Sequence, residues 1–288
     1  MNDYVIYTDS GCDMSEAVLS EWNVPFSSLT FRFTDSEREY LNGDMPINDF
    51  YKKMTEGKTA KTSAVNSESF YFAFKEILNQ KKDILYVGFS SGLSTTYNSA
   101  RIAAIKLSGE YPTQKIITVD SLCASAGQGL LIRLLLDKKE LGESIEAVAK
   151  YAESVKKSIC HWFTVSDLVY LKRGGRISPT LAFVGNALGI KPILHVDNDG
   201  HLVNFSKVRG RKASIFALAE KYGELAKEKK KGKIYISHAF CEDDARALSD
   251  ILKEKYGQEA SIITDVGTVI GAHSGPGTLA LFFVGKER

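Results

Sequence analysis

Between Val87 and Ala104 the chain reads VGFSSGLSTTYNSARIAA, which sets the hydroxyls of Ser90, Ser91, Ser94, Thr95, Thr96 and Ser99 beside Gly88 and Gly92. The apolar run ahead of them, residues 84–89, suits a short buried strand. Behind them Tyr97, Ala100, Ile102, Ala103 and Ile105 are spaced for one face of a helix. The hydroxyls therefore occupy a strand-to-helix turn, where the unpaired amides of the first helical turn point outward. Such a turn attracts an anion.

Other polar groups recur at predicted strand ends. Thr8-Asp9-Ser10 closes the first strand, where parallel sheets bind ligands, although a helix-capping turn explains it as well. Lys61-Thr62-Ser63 reads more readily as a cap before a helix over 67–77 than as a site. Asp120-Ser121 reads as structural. Lys172-Arg173-Gly174-Gly175-Arg176-Ile177-Ser178 surrounds two glycines with three cations, which fits an anion site or, more simply, a helix end with a glycine stop. The basic run Lys207-Val208-Arg209-Gly210-Arg211-Lys212 is either a solvated face or a docking patch. His273 lies in the glycine-rich stretch 271–278, where structural and functional roles are evenly balanced. His161, His195, His201 and His238 fall on or beside strands, where packing accounts for them.

Residues 88–92 also match the GxSxG elbow of acyl hydrolases. In that reading Ser90 is the nucleophile, His273 the base and Asp265 the acid. Nucleotide signatures (GxxxxGK, GxGxxG) and the HExxH zinc motif do not occur.

The elements that must position these groups alternate. Strands are expected at 4–7 and 114–120, a helix capped by Asp13 with Glu16 three residues on, and a helix over 145–155. That alternation predicts a mostly parallel sheet in the first half. Beyond His161 the pattern changes: Asp197-Asn198-Asp199-Gly200 between two apolar runs predicts a β-hairpin. Helix 213–230, strand 233–237, helix 243–255, strand 260–264 and an apolar run over 279–284 follow. We expect an α/β protein of two α/β domains, residues 1–160 and 161–288. At 288 residues, with net charge +2 and 25% charged residues, nothing favours nucleic acid. No apolar run reaches membrane-span length, the start lacks a signal-peptide pattern, and the four cysteines are scattered without CxxC. These features predict a cytoplasmic protein without a metal site or disulfides.

In order along the chain, Thr8-Asp9-Ser10, Lys61-Thr62-Ser63, the SSGLSxTYxSA run over 90–100, LKRGGRIS over 171–178, KPIL over 191–194 and Gly275-Pro276-Gly277 resemble the DegV family of bacterial fatty-acid-binding proteins. The resemblance runs nearly end to end. It implies a long-chain fatty acid held in a tunnel between the two domains, its carboxylate on Thr62, Ser94 and His273, with no cofactor and no catalytic step. It further implies a fatty acid kinase partner that makes an acyl phosphate for phospholipid synthesis. The chain departs from the family pattern at Ala64, where glutamine is frequent, and at Thr95, where glycine is common. In this light the hydroxyl turn is a neutral carboxylate cradle, since residues 88–100 contain no Lys or Arg. Apolar candidates for the tunnel wall are Phe163, Leu168, Phe183, Leu188, Ile190 and Ile193. Among the basic residues, Arg209 is the candidate for kinase docking.

Overall fold

The structure, a computed structural model, describes residues 3–177, 189–229 and 231–288. In the first half β1 (Tyr4–Asp9), α1 (Glu16–Glu21), β2 (Phe26–Ser27), β3 (Thr30–Phe33), β4 (Tyr40–Leu41), α2 (Ile47–Thr55) and β5 (Ala60–Ser63) lead into α3 (Ser67–Asn79). Then come β6 (Asp83–Gly88), α4 (Thr96–Glu110), β7 (Ile116–Asp120), α5 (Ala126–Glu140) and α6 (Ile145–Val155). Four strands form a parallel sheet in the order β2-β1-β6-β7. The central strand β6 is buried along its whole length, and its side chains alternate between the two faces. Ile84 and Tyr86 pack with Phe70 and Phe74 of α3 and Ala100, Ala103 and Leu107 of α4. Leu85 and Val87 turn to the opposite face, toward Leu130 and Leu131 of α5 and Val148 of α6. A separate antiparallel sheet, β4-β3-β5, closes over α2 through Phe31, Phe33, Phe50 and Tyr51.

The second half contains β8 (Ile159–Thr164), α7 (Val169–Arg173), β9 (Ile190–Val196), β10 (Leu202–Arg209), α8 (Arg211–Leu225) and β11 (Ile234–His238). It ends with α9 (Glu242–Tyr256), β12 (Ile262–Asp265), α10 (Thr268–Ser274) and β13 (Leu279–Val284). Its six strands form one mixed sheet, β10-β9-β8-β13-β11-β12, in which β11 and β12 are parallel. The predicted hairpin is β9–β10, antiparallel across the Asp197–Gly200 turn. One face of this sheet packs against α8 and α9 through Trp162, Ile193, Ile236 and Leu281. The other face joins the core beneath α5 through Phe163, Leu194, Tyr235, Ala280 and Phe282. The strands thus segregate along the chain, with β8 opening the second sheet.

Three local expectations change. Ser15, not Asp13, caps α1, accepting from the Val18 amide; Asp13 is buried with left-handed φ 50° and turns inward. Lys61-Thr62-Ser63 is strand rather than cap, because β3 supplies it with an antiparallel partner, and Asn66 caps α3 instead. His273 stands on the short helix α10, not in an open turn.

Candidate functional site

A cavity of about 520 Å³ lies between the halves, lined from one side by the turns after β5, β6 and β7 and from the other by the second sheet and α10. Thr62, Ser94 and His273, separated by long stretches of sequence, all line it. Thr62 is placed by β5. Its Oγ1 lies 2.8 Å from His273 Nε2. Ser94 is fixed at the mouth of α4: its Oγ accepts from the Thr96 amide at 3.2 Å and lies 2.9 Å from Thr96 Oγ1. Ala64 and Thr95, the two departures from the family pattern, line the same end.

His273 is held close to the backbone of the loop after α7. A Cβ on Gly174 would come within 2.1 Å of its Nδ1, so this position accepts only glycine. Burial, and then the nearby Arg176 guanidinium, push the His273 pKa down to about 4. The imidazole is therefore neutral near pH 7, and its buried Nδ1 has no hydrogen-bond partner among the described residues. Arg176 itself is half-buried in the lining; its Nε donates to Leu93 O at 3.2 Å and its Nη1 donates to Gly174 O. That side chain ties the turn carrying Ser94 to the loop facing His273. As the sequence allowed, α7 ends in a glycine stop, with Gly175 at φ 70° and the Arg176 amide donating to Leu171 O. The helix end and the cavity wall are one structure. Thr62 Oγ1 meets the His273 imidazole, Ser94 lines the same cavity, and the Arg176 guanidinium bridges the turn carrying Ser94 and the loop facing His273, a set of groups that can hold an anion.

The rest of the wall is mainly apolar. Phe163 lines it, with Phe89, Val269, Ala280 and Phe282. Ile193 does not: on β9 it points to the α8–α9 face, while Val196, on the other parity, reaches the cavity. Ile190 and Leu168 also lie outside the lining, Leu168 packing against the central core. Phe183, Leu188 and Ser178 fall outside the described residues.

The hydrolase constellation does not assemble. Ser90 is fully buried and is not in the lining; its Oγ donates to Gly200 O at 2.9 Å and accepts from the Gly92 amide at 3.2 Å. Asp265 lies 3.7 Å from His238, while His273 pairs with Thr62. Ser90 instead clamps the β6 turn to the hairpin. Asp9 is likewise structural, accepting from Tyr86 Oη at 2.6 Å and from the Phe89 and Gly11 amides at 2.9 Å. Asp120 receives the Ser91 and Leu122 amides, as its structural reading requires.

Polar lining residues that sequence reasoning missed are His161, Ser125 and Ser237, whereas Arg176 enters the sequence reading as part of a cationic glycine loop. His161 sits two residues from Phe163 on β8, so strand alternation alone places it on the same face. Both its nitrogens are used: Nδ1 donates to Ile159 O at 2.9 Å and Nε2 accepts from the Ala124 amide at 3.2 Å. Burial holds its pKa well below the usual value, and it serves as neutral wall. In the basic run, Lys207, Arg209 and Lys212 are exposed, but Arg211 is withdrawn onto Asp244 at 2.8 Å. Among the described residues no group of three or more His, Cys, Asp or Glu side chains is placed to hold a metal ion, and no helix is long and apolar enough to cross a membrane.

Comparison with known proteins agrees with this architecture. Residues 3–286 match the model of a family described as uncharacterised protein, DegV family. A DegV domain-containing protein of Clostridium perfringens is 40% identical, covering 100% of this chain and 99% of that one. A solved DegV lipid-binding protein of Thermotoga maritima is 33% identical with TM-score 0.86, covering 99% of each chain. A DegV family protein of Thermus thermophilus, whose structure is described by its fatty acid binding, is 27% identical with TM-score 0.89, covering 99% of this chain and 100% of that one.

Proposed function

The chain belongs to the DegV family, and we propose that it is a carrier of one long-chain fatty acid, without a catalytic step of its own. Two α/β domains, residues 1–160 and 161–288, enclose the ligand. The carboxylate rests on Thr62, Ser94 and His273, and the acyl chain runs along the apolar wall past Phe163. The observation that supports this reading is that all three side chains line one cavity, Thr62 in contact with His273, and that much of the remaining wall is apolar.

Energetics divide the work. Burying roughly 14 methylenes at ~0.8 kcal/mol each contributes about 11 kcal/mol, against an association cost of ~4–15 kcal/mol. The tail sets affinity, and hydrogen bonds to the charged head, at ~1.5–3 kcal/mol each, set which end goes where. The carrier presents the bound carboxylate to a fatty acid kinase, which converts it to an acyl phosphate for phospholipid synthesis; exposed Arg209 on the hairpin contributes to docking that partner. Family membership supports this role.

Titration with stearic acid tests the head-group assignment. Thr62→Ala and Ser94→Ala each weaken binding about tenfold, and the double variant loses less than the product, because both hydroxyls address one carboxylate. Unchanged affinity in the double variant would place the carboxylate elsewhere.

A further inference from the structure

Every N–H of the Arg288 guanidinium has an acceptor. Its Nε donates to Ile159 O at 3.0 Å, and its Nη1 donates to Leu122 O at 2.8 Å and to Asp197 O at 2.9 Å. Its Nη2 donates to Lys156 O at 2.8 Å and to Cys123 Sγ at 3.2 Å. These acceptors come from separate places: the turn after β7 in the first half, the connection running into β8, and the hairpin turn between β9 and β10 in the second half. The planar fork of an arginine reaches them together, which the single ammonium of a lysine cannot do.

Each of those segments backs onto the cavity wall. Leu122 and Cys123 lead into Ala124 and Ser125, which line it, and Leu122 and Ser125 hold left-handed φ of 53° and 52°. Such a turn keeps its shape only when its surroundings enforce it. Ile159 O accepts from the lining residue His161, through Nδ1, as well as from Arg288. The hairpin turn carries Gly200, whose carbonyl receives Ser90 Oγ and would stand 2.9 Å from a Cβ on the lining residue Gly92. Arg288 itself is not part of the lining. It is also remote from the carboxylate end. Ile159 opens β8, and the loop facing His273 follows the far end of that strand, roughly 16 Å along.

We propose that Arg288 is a clasp that keeps the two halves closed on the acyl chain and so sets how fast the fatty acid enters and leaves. The inference rests on the fatty-acid reading above. An acid enclosed between the halves leaves only when they part. Parting them beside Arg288 strips main-chain carbonyls of a charged donor in a part-buried place, which is costly. Arg288 acts through the wall, as a positioning residue.

Exchange kinetics test the clasp. Protein loaded with labelled stearic acid is mixed with excess unlabelled acid, and release of the label is followed. Arg288→Met keeps the bulk and removes the fork, and should release the acid about tenfold faster. Arg288→Lys keeps the charge but reaches only part of the acceptor set, and should fall between. Leu252→Ala, in the fully buried layer beneath α9, loses stability without touching the clasp and should release at the natural rate. Arg288→Met at the natural rate, or Leu252→Ala as fast as Arg288→Met, would overturn the clasp and leave the carrier reading standing. Should Arg288→Met fail to fold, an unchanged rate in Arg288→Lys overturns it equally. If the natural protein takes up no stearic acid, the carrier reading itself falls.

Discussion

Two turns of this molecule start alike and end differently. After β6 and after β7 the chain leaves a parallel strand through a serine-rich turn and enters a 15-residue helix, α4 or α5. In each, the first serine serves the backbone: Ser90 donates to Gly200 O, and Ser121 donates to Gly88 O at 2.6 Å. The later serine of each turn faces the cavity. Among the described residues the Ser94 hydroxyl pairs with neutral Thr96 alone, in its own turn, and on the proposed reading it receives the carboxylate. Ser125 is committed to a buried carboxylate from the β1 loop and carries a strained backbone. On the proposed reading one turn is a receptor, while the other is a seam that joins the halves. The same local sequence chemistry acquires its role from what tertiary structure brings opposite it.

The largest consequence of that difference concerns pH. Asp13 has its folded pKa raised from 3.8 to about 7, so the folded protein keeps a proton that the unfolded chain releases. Its contribution to stability is complete below about pH 4 and is lost as pH rises through 7, by about 4 kcal/mol if the whole shift is realised. Asp13→Asn imitates the protonated form and still accepts from Ser125. The variant should gain on the natural protein steadily across that window in urea denaturation. Parallel pH profiles would show that Asp13 is not the strained partner of the seam.

A somewhat smaller effect is expected at Gly127, two residues into the seam helix. A Cβ there would stand 2.2 Å from His161 Nε2, the atom that receives the Ala124 amide. Gly127→Ala should cost about 3 kcal/mol, by displacing a fully bonded ring from the cavity wall. A substitution of similar size at Gly109, exposed on α4 with nothing within 4 Å of the added carbon, should be neutral or slightly stabilising. Equal midpoints for the two variants would break the comparison.

The smallest effect lies at the surface. Arg209→Ala should retain its lipid but slow phosphorylation by a fatty acid kinase a few-fold, the defect narrowing as salt screens the natural protein's advantage. Loss of the bound lipid itself would remove Arg209 from a docking role.

Much of the fold was legible because it rests on local pattern. The buried run of β6, the spacing of α6 and the turn residues 197–200 each dictate one element. The three-stranded sheet β4-β3-β5 was not, since strands of two to four residues are too short to carry a period. Asp13 misled because acidic residues ahead of helices usually cap them, and only the approach of α5 reveals another partner. Ile193 was misplaced because alternation gives two faces without saying which is inward; the α8–α9 layer decides that. Thr62, Ser94 and His273 were named from motifs alone; that they line one cavity, with Thr62 against His273, depends on how β5, the α4 mouth and α10 come together and was not legible locally. Ser125 left a trace in Cys123-Ala124-Ser125-Ala126-Gly127, small residues flanking a serine at a strand-to-helix turn, but Ser237 left none.

The central claim is that the receptor end and the apolar wall together hold a fatty acid. Mass spectrometry of an organic extract of the purified protein tests it most directly. The account predicts about one long-chain acid per chain, retained through purification because the tail is buried. Protein that is repeatedly free of lipid, and that takes up no added stearic acid, would contradict it.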